Sequence, residues 1–568
     1  MTASLLTDAL ALIETAQAAY RDDPAALEEL TRWRVRMADP VRIGIAGMVK
    51  AGKSTLLNAL IGERIAPTDA GECTRVVTWY RYGDVPGADA QLRDGTTRRL
   101  LLRRRDDGLS YELDDLDIDD IVRIDVRWPS VSLRATVLID TPGIESATSG
   151  VSERTHTLLI RDRVGPDDAD ALVYLMRHLH PSDVSFLESF RDTGAGPASC
   201  VSTVAILSRA DEVGAGRLDA MLSARKIAER YRTEPALRPL ALTVLPIAGL
   251  IAETARTLRE REYAAVATVA ALTRPDRERL LLSVDRLVRG EGLGLSGADR
   301  RMLVERFGLS GIRLASALVR GGAAGSPQLS EQLLRQSGLD ELRTTIRRRF
   351  RPRSAALKVR ALLAGLDQLA IGRVPSPALV AASERLAASA HELRELDLLA
   401  RVRSEPSPLP LPSEVIAEAE RVLGADGTGP SERLGLPAAA PPEELVARAD
   451  ELIAQWRRRS VSPLAARPTV RACADIVRSL EGARADVAAG SAADSASGSE
   501  VAGVSAGGPP PDVDTAGGPA DGVRQDAHQQ GERPEPGLHK QDQRQRRQRR
   551  ARLAELEAER EDEAQHQE

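Results

Sequence analysis

The chain has 568 residues, a formal net charge of -5 and a hydrophobic fraction of 42% with only 3% aromatics. That length implies about three to four domains or segments, with cores of Leu, Val, Ala and Ile packed mainly through helices. The acidic balance argues against a nucleic-acid binder, which shows as a net basic domain, and three cysteines without a C-x-x-C pair exclude a disulfide framework or structural zinc as the organising principle.

The first residues, MTASLLTDALALIETAQAAY, lack a basic leader and carry Asp8 and Glu14 inside the apolar period, so neither a signal peptide nor an anchor is expected. The longest uncharged run, 239–252, contains Pro246 and is too short to span a bilayer, so membrane contact is expected to be peripheral and the location cytoplasmic. Helices are expected over 3–20 and 24–38. Leu5, Leu6, Leu10 and Ile13 follow the helical period, and Asp23-Pro24 reads as a cap with proline at the first helical position. The helical C-terminal half is their natural packing partner.

Val41 to Ala46 reads as a strand and Ser54 to Leu60 as a helix, and between them stands Gly47-Met48-Val49-Lys50-Ala51-Gly52-Lys53-Ser54, a G-x-x-x-x-G-K-S phosphate loop. Its backbone N–H groups, from Gly47, Val49, Ala51, Gly52, Lys53, Ser54 and Thr55, are expected to surround phosphate oxygens at the positive end of the helix. Lys53 reaches the β- and γ-phosphates, and the Ser54 hydroxyl ligates Mg2+. The chain has five lysines among 78 basic residues, and two of them lie in this loop, where a compact charge on a flexible stem is wanted. A nucleoside triphosphate with Mg2+ is the expected ligand.

From 41 to about 255 strands alternate with helices, as in a mostly parallel sheet covered on both faces. Strands are expected at 76–82, 121–128, 135–139, 171–175 and 201–207, with a hairpin or edge region over 83–120. Thr74, just before the second strand, is positioned to offer its hydroxyl to Mg2+ and its backbone to the γ-phosphate, with Thr68 as rival. The strand ending at Asp140 runs into Thr141-Pro142-Gly143. This sets a carboxylate beside the metal shell and the Gly143 N–H near the γ-phosphate, although an ordinary β-turn also suits these residues. Ser208-Arg209-Ala210-Asp211 follows the next strand but one. The Asp211 carboxylate can accept both N–H donors of guanine while Arg209 covers the base; adenine offers no such donor pair. The alternative is a plain helix cap.

Residues 251–289, 298–370, 374–402 and 412–484 are dense in Leu, Ala, Arg and Glu at helical spacing, which fits a long bundle. Two places are weighed for anionic lipid: a tip around 312–326, and the basic run Arg347, Arg348, Arg349, Arg351 and Arg353, for which a solvated helix face is the plainer reading. From about 486 the sequence turns to Ala, Gly, Ser, Pro and Asp, too poor in apolar surface to fold, and it ends in a basic and then an acidic stretch.

Taken together, GMVKAGKST, Thr74, DTPG and SRAD resemble the dynamin superfamily of large GTPases. The text IAPTDAGECTRVVTWYRYG, SRADEVGAGRLDAMLSA and LLSVDRLVR is similar to the bacterial dynamin-like proteins of the actinobacterial isoniazid-induced group, IniC type. The resemblance implies an α/β P-loop GTPase domain, a mixed, mostly parallel sheet with helices on both faces, joined to an elongated all-α neck and stalk. The division it implies is 1–39 N-terminal helices packing on the neck, 40–255 GTPase domain, 256–485 neck and stalk, and 486–568 a disordered tail. It also implies GTP and Mg2+ as ligands, and head-to-head dimers with itself or with a second dynamin-like protein. The expected output is membrane remodelling or maintenance at the cytoplasmic membrane; the alternative is a GTP-dependent adaptor of a second dynamin-like protein. Its last guanine element falls at Ala248. Small switch GTPases orient water with a glutamine where this chain has Ile144. In the superfamily the position of Lys50 often carries a residue acting on the phosphates in cis, which makes Lys50 the expected finger, or else a merely exposed lysine.

Overall fold

The computed structural model describes residues 2–67, 76–105, 108–113, 116–141, 169–190, 200–290, 294–374, 376–404, 409, 411–461 and 466–501. Ten strands among these form one sheet: β1 Val41–Gly47, β2 Thr78–Tyr82, β3 Gly87–Leu92, β4 Thr97–Arg105, β5 Gly108–Glu112, β6 Ile121–Trp128, β7 Thr136–Asp140, β8 Ala171–Met176, β9 Thr203–Ser208 and β10 Thr243–Ile247. Their order is β10-β9-β8-β1-β7-β2-β6-β3-β4-β5. Neighbours from β10 to β7 are parallel. All residues of β1, β8, β9 and β10 are buried, which is why β1, β8 and β9 read as runs rich in apolar residues. Beyond β7 the sheet is mixed: β2 is antiparallel to β7 and parallel to β6, and β3, β4 and β5 add an antiparallel meander. The expected edge region over 83–120 is this meander.

The chain leaves β1 with β7 on one side and β8 on the other, and the later strands extend away on the β8 side. This reversal opens a crevice beyond the carboxyl ends of the strands, the place where open α/β sheets bind ligands. The phosphate loop sits at that switch point.

Alternate residues of the central strands feed two cores. Ile45, Val173 and Leu175 pack with Leu56, Leu57 and Leu60 of the helix Lys53–Ile61 and with Leu339, Leu342, Ile346 and Phe350. On the other face, Tyr174, Met176, Ala205 and Leu207 cluster with Ile251, Val266, Val269, Leu303, Phe307 and Ile312. Each fully buried Leu, Ile or Phe contributes roughly 1.5–3 kcal/mol, so the helices Glu260–Ala271, Gly297–Arg320 and Gly325–Ser337 are held to the sheet. The boundary expected at 255/256 therefore falls inside one packed core.

A third core joins the helices Thr2–Ala19 and Pro24–Ala38 to Ser354–Ala370, Pro377–Ser389, His391–Arg403, Pro442–Ser460 and the first part of Arg467–Val501. Asp23 caps the second helix by accepting from the Ala26 N–H at 3.0 Å, with Pro24 in its first turn. Gly365 lets this helix approach, since a Cβ there would stand 2.5 Å from the Trp33 ring. Buried Arg36 pairs with Asp170 at 2.9 Å, and the other Asp170 oxygen accepts from the Arg42 N–H, so the same helix is also tied to β1.

Of the two places weighed for lipid, 312–326 is buried in part: Ile312, Ala315, Ser316 and Ala323 are buried, whereas Arg320, Gly321, Gly322 and Ala324 at its turn are exposed. In the basic run Arg347, Arg348 and Arg351 are exposed, as on a solvated face, while Arg348 also pairs with Glu432 at 3.1 Å and half-buried Arg349 with Asp426 at 3.5 Å. Arg351 donates to the Thr136 hydroxyl at 3.4 Å, and buried Arg353 donates to the Leu423 carbonyl. These arginines stitch the sheet to the bundle. The last described helix, Arg467–Val501, also runs past 486, because a chain too polar to build a core can still be Ala-rich enough for a helix. Among the described residues no helix is long and apolar enough to cross a membrane.

Candidate functional site

The loop after β1 owes its shape to three positive backbone angles, with φ +148° at Gly47, +63° at Lys50 and +96° at Gly52. At Gly47 a Cβ would overlap the Leu175 carbonyl of β8, so only glycine fits. Gly52 begins the helix Lys53–Ile61 from a left-handed conformation. Such turns of alternating hand make a concave row of N–H groups at a helix N-terminus, an anion cradle. One member differs from expectation: the Ala51 N–H donates to the Met48 carbonyl at 3.1 Å and is engaged within the loop. Val49 and Lys50 are exposed.

Lys53 folds back over the cradle and donates to the carbonyls of Gly47 at 3.0 Å and Met48 at 3.3 Å. Burial lowers its pKa, and the Asp140 charge opposes that. Ser54 donates from Oγ to Asp140 Oδ2 at 3.2 Å, so the loop serine and the end of β7 meet as the two motifs predicted. Burial pushes the Asp140 carboxyl up to about 6, against the pull of Lys53 and Ser54. Its Oδ1 is buried with no hydrogen-bond partner among the described residues. A hydroxyl beside a half-satisfied carboxylate is an oxygen donor set of the kind Mg2+ takes together with phosphate oxygens, so these residues fit that ion. Thr74, its rival Thr68, and Gly143 lie outside the described residues.

The side expected from the sequence to take the base is built at the ends of β9 and β10. Arg209 has φ +52° and donates to the Lys50 carbonyl at 3.2 Å and to Glu212 Oε1 at 3.2 Å. Asp211 is buried, and its Oδ2 accepts from the Ser310 hydroxyl at 2.6 Å. Burial raises the Asp211 pKa, while the Ser310 bond lowers it. Ala248 donates its N–H to the Ser337 carbonyl at 2.9 Å and precedes the helix Gly249–Thr257; a Cβ on Gly249 would lie 3.8 Å from Thr55 Cγ2. The phosphate loop and both base-side segments thus share one crevice.

Two residues of this crevice escape a motif reading. Asn58 is buried on the loop helix, where its Oδ1 accepts from the N–H groups of Ile65 and Ala66 at 3.0 and 2.7 Å and its Nδ2 donates to the Ala66 carbonyl at 3.1 Å. It fixes the path of the chain leaving that helix. Ser310 arrives from the helix Gly297–Arg320. The one signal for it is the interruption Gly308-Leu309-Ser310-Gly311, where Gly308 has φ +62° inside the helix.

A phosphate loop at the switch point, a serine and aspartate poised for a metal, and a buried aspartate on the base side define a P-loop nucleotide-binding domain. The model of the dynamin family matches residues 43–188. Isoniazid-induced protein IniC of Mycobacterium tuberculosis is 39% identical over 490 residues, covering 84% of this chain and 98% of that protein. The chain belongs to the dynamin family, in its isoniazid-induced IniC group, and carries a dynamin-family GTPase domain. Isoniazid-induced protein IniA of the same organism is 31% identical over 176 residues, 27% of this chain and 26% of that protein. A solved bacterial dynamin, one of an oligomerised pair described as sensing and tethering membranes at long range, aligns with a TM-score of 0.29 at 12% identity. That alignment covers 85% of this chain and 74% of the other.

Proposed function

We propose that this protein binds GTP with Mg2+ and hydrolyses it to GDP and phosphate, coupling the cycle to dimerisation through its GTPase domains and to membrane remodelling or maintenance at the inner face of the cytoplasmic membrane. The observation that carries this reading is the Ser54–Asp140 pair, whose second carboxylate oxygen is buried without a partner among the described residues, beside a glycine-built phosphate cradle. Lys53 would draw the β- and γ-phosphates into the cradle, and Ser54, Asp140 and Thr74 would hold Mg2+, which would supply charge neutralisation at the phosphates. Lys50 acts on the charge developing between them, and backbone groups of Thr74 and Gly143 hold the attacking water. Arg209, Asp211 and Ala248 enclose guanine. The working division is the N-terminal helices 1–39 on the neck, a GTPase domain 40–255, a helical neck and stalk 256–485 whose segments up to Phe350 also pack on the sheet, and a tail from 486.

A second reading is supported by the engagement of part of each segment weighed for lipid, with Ile312, Ala315, Ser316 and Ala323 buried and Arg348 and Arg349 paired to Glu432 and Asp426. It is an adaptor that binds GTP and pairs with a second dynamin-like protein. Sedimentation of the full chain with anionic vesicles, with and without GTP, separates the two. Nucleotide-dependent co-sedimentation and vesicle reshaping support the first; turnover and dimerisation without any vesicle binding support the adaptor.

A further inference from the structure

Asp211 and Ser310 lie far apart in the chain, yet they form the shortest polar contact of the base-side wall, 2.6 Å from Oγ to Oδ2. That length is typical of a hydroxyl donating to an ionised carboxylate. The helix carrying Ser310 is built to reach this point. Its axis breaks at Gly308, Gly311 packs against Phe307 and Ile251 where a Cβ would meet Ile251 Cγ1 at 3.4 Å, and Ile312 is buried in the sheet core. One turn later, Arg313 donates to the carbonyls of Ala215 and Gly216 at 3.1 Å each and to that of Leu281 at 2.6 Å. The segment that follows Asp211 is therefore fastened to the same helix.

We propose that Ser310 is a positioning residue for base selection, its hydroxyl fixing the Asp211 carboxylate in the orientation that accepts the paired N–H donors of guanine. The inference rests on the reading of Asp211 as the base acceptor. A carboxylate oxygen has two lone-pair sites, so Oδ2 serves Ser310 and a base N–H together while Oδ1 serves the second donor. The carboxylate must be ionised for this, and its burial works against ionisation. Arg209 and the Ser310 bond favour the charged form, and the Glu212 charge opposes it. Losing the hydroxyl therefore loosens the rotamer and moves the proton equilibrium the wrong way. An adenine base gains nothing from the arrangement, so the effect is specific to guanine.

The test is equilibrium binding of fluorescent GDP and ADP to the full chain and to Ser310→Ala and Ser310→Thr, across pH. Ser310→Ala is expected to weaken GDP by roughly tenfold with ADP unchanged, and to move the acidic limb of GDP binding to higher pH. Ser310→Thr keeps the hydroxyl and restores both. GDP affinity and pH profile unchanged in Ser310→Ala would overturn the proposal. If Ser310→Ala does not fold, Ser310→Cys keeps the volume without a strong donor and carries the same test. A wild-type chain that does not prefer GDP over ADP would instead overturn the reading of Asp211 and of the GTPase itself.

Discussion

Arg209 donates a guanidinium N–H to the backbone carbonyl of Lys50 at 3.2 Å, joining the end of β9 to the middle of the phosphate loop. Both residues hold positive φ, +52° and +63°, which non-glycine side chains seldom adopt. Strain of this kind persists where surrounding contacts enforce it. Here the Arg209–Lys50 contact ties the two strained residues to each other.

Lys50→Ala should lower kcat for GTP by about 100-fold while changing GTP affinity less than about threefold, because a group acting on developing charge contributes in the transition state. Arg209→Ala should release the Lys50 carbonyl and give part of the same kcat loss together with weaker guanine binding. Steady-state turnover and equilibrium binding measure the two effects separately. Equal losses of kcat and affinity in Lys50→Ala would identify it as a ground-state contact.

Asp140→Asn removes a buried charge, one oxygen of which has no hydrogen-bond partner among the described residues. In the metal-free protein the substitution should raise the melting temperature, since that charge lacks full compensation. With Mg2+ present, it should lower turnover by about 100-fold and abolish the Mg2+ dependence of nucleotide affinity. Unaltered Mg2+ dependence would remove Asp140 from the metal site.

Glu420 joins the two halves of the molecule: it accepts from Arg403 at 2.6 Å and from Arg238, which precedes β10. Arg403 also donates to the Arg238 and Ala241 carbonyls at 3.2 and 2.9 Å. Glu420→Gln removes the carboxylate shared by buried Arg403 and half-buried Arg238 and should cost about 3 kcal/mol, read as a lowered denaturation midpoint. An unchanged midpoint would show that apolar packing alone holds the seam.

Glu395 supplies the pH dependence. Burial pushes its carboxyl up, but the His391 ring at 3.6 Å and a two-pronged Arg433 contact at 2.6 and 3.0 Å outweigh this and hold it well below the usual carboxylate range. A depressed folded-state pKa contributes stability above the unfolded value of about 4.3, and that contribution is lost as pH falls below it. Between about pH 5 and about pH 3 the wild-type melting temperature should fall steeply. Glu395→Gln should be less stable at neutral pH and show a flatter slope. Parallel slopes in thermal melts would contradict this.

The nucleotide side of the site was legible because its chemistry is local. A phosphate loop needs a strand, glycines of defined handedness and a helix in immediate succession, and Gly47 to Ser54 supply all of these within one short stretch. Of the central strands β1, β8 and β9 were legible, being buried along their length and rich in apolar residues, whereas β10, whose run is broken by Pro246, was not. Long-range packing was not. Nothing near Ile312 tells that its helix lies on the sheet, and a run of arginines reads alike whether it faces water, lipid or the carboxylates of Asp426 and Glu432. Ser310 was silent for the same reason, since its meaning comes from Asp211, far away in the chain.

The central claim is tested most directly by phosphate release from GTP and from ATP by the full chain, with Mg2+ and after its removal by chelation. The account predicts GTP turnover that requires Mg2+, a strong preference over ATP, and loss of activity in Lys53→Ala. Absence of GTP turnover under all conditions, or a preference for ATP, would contradict it.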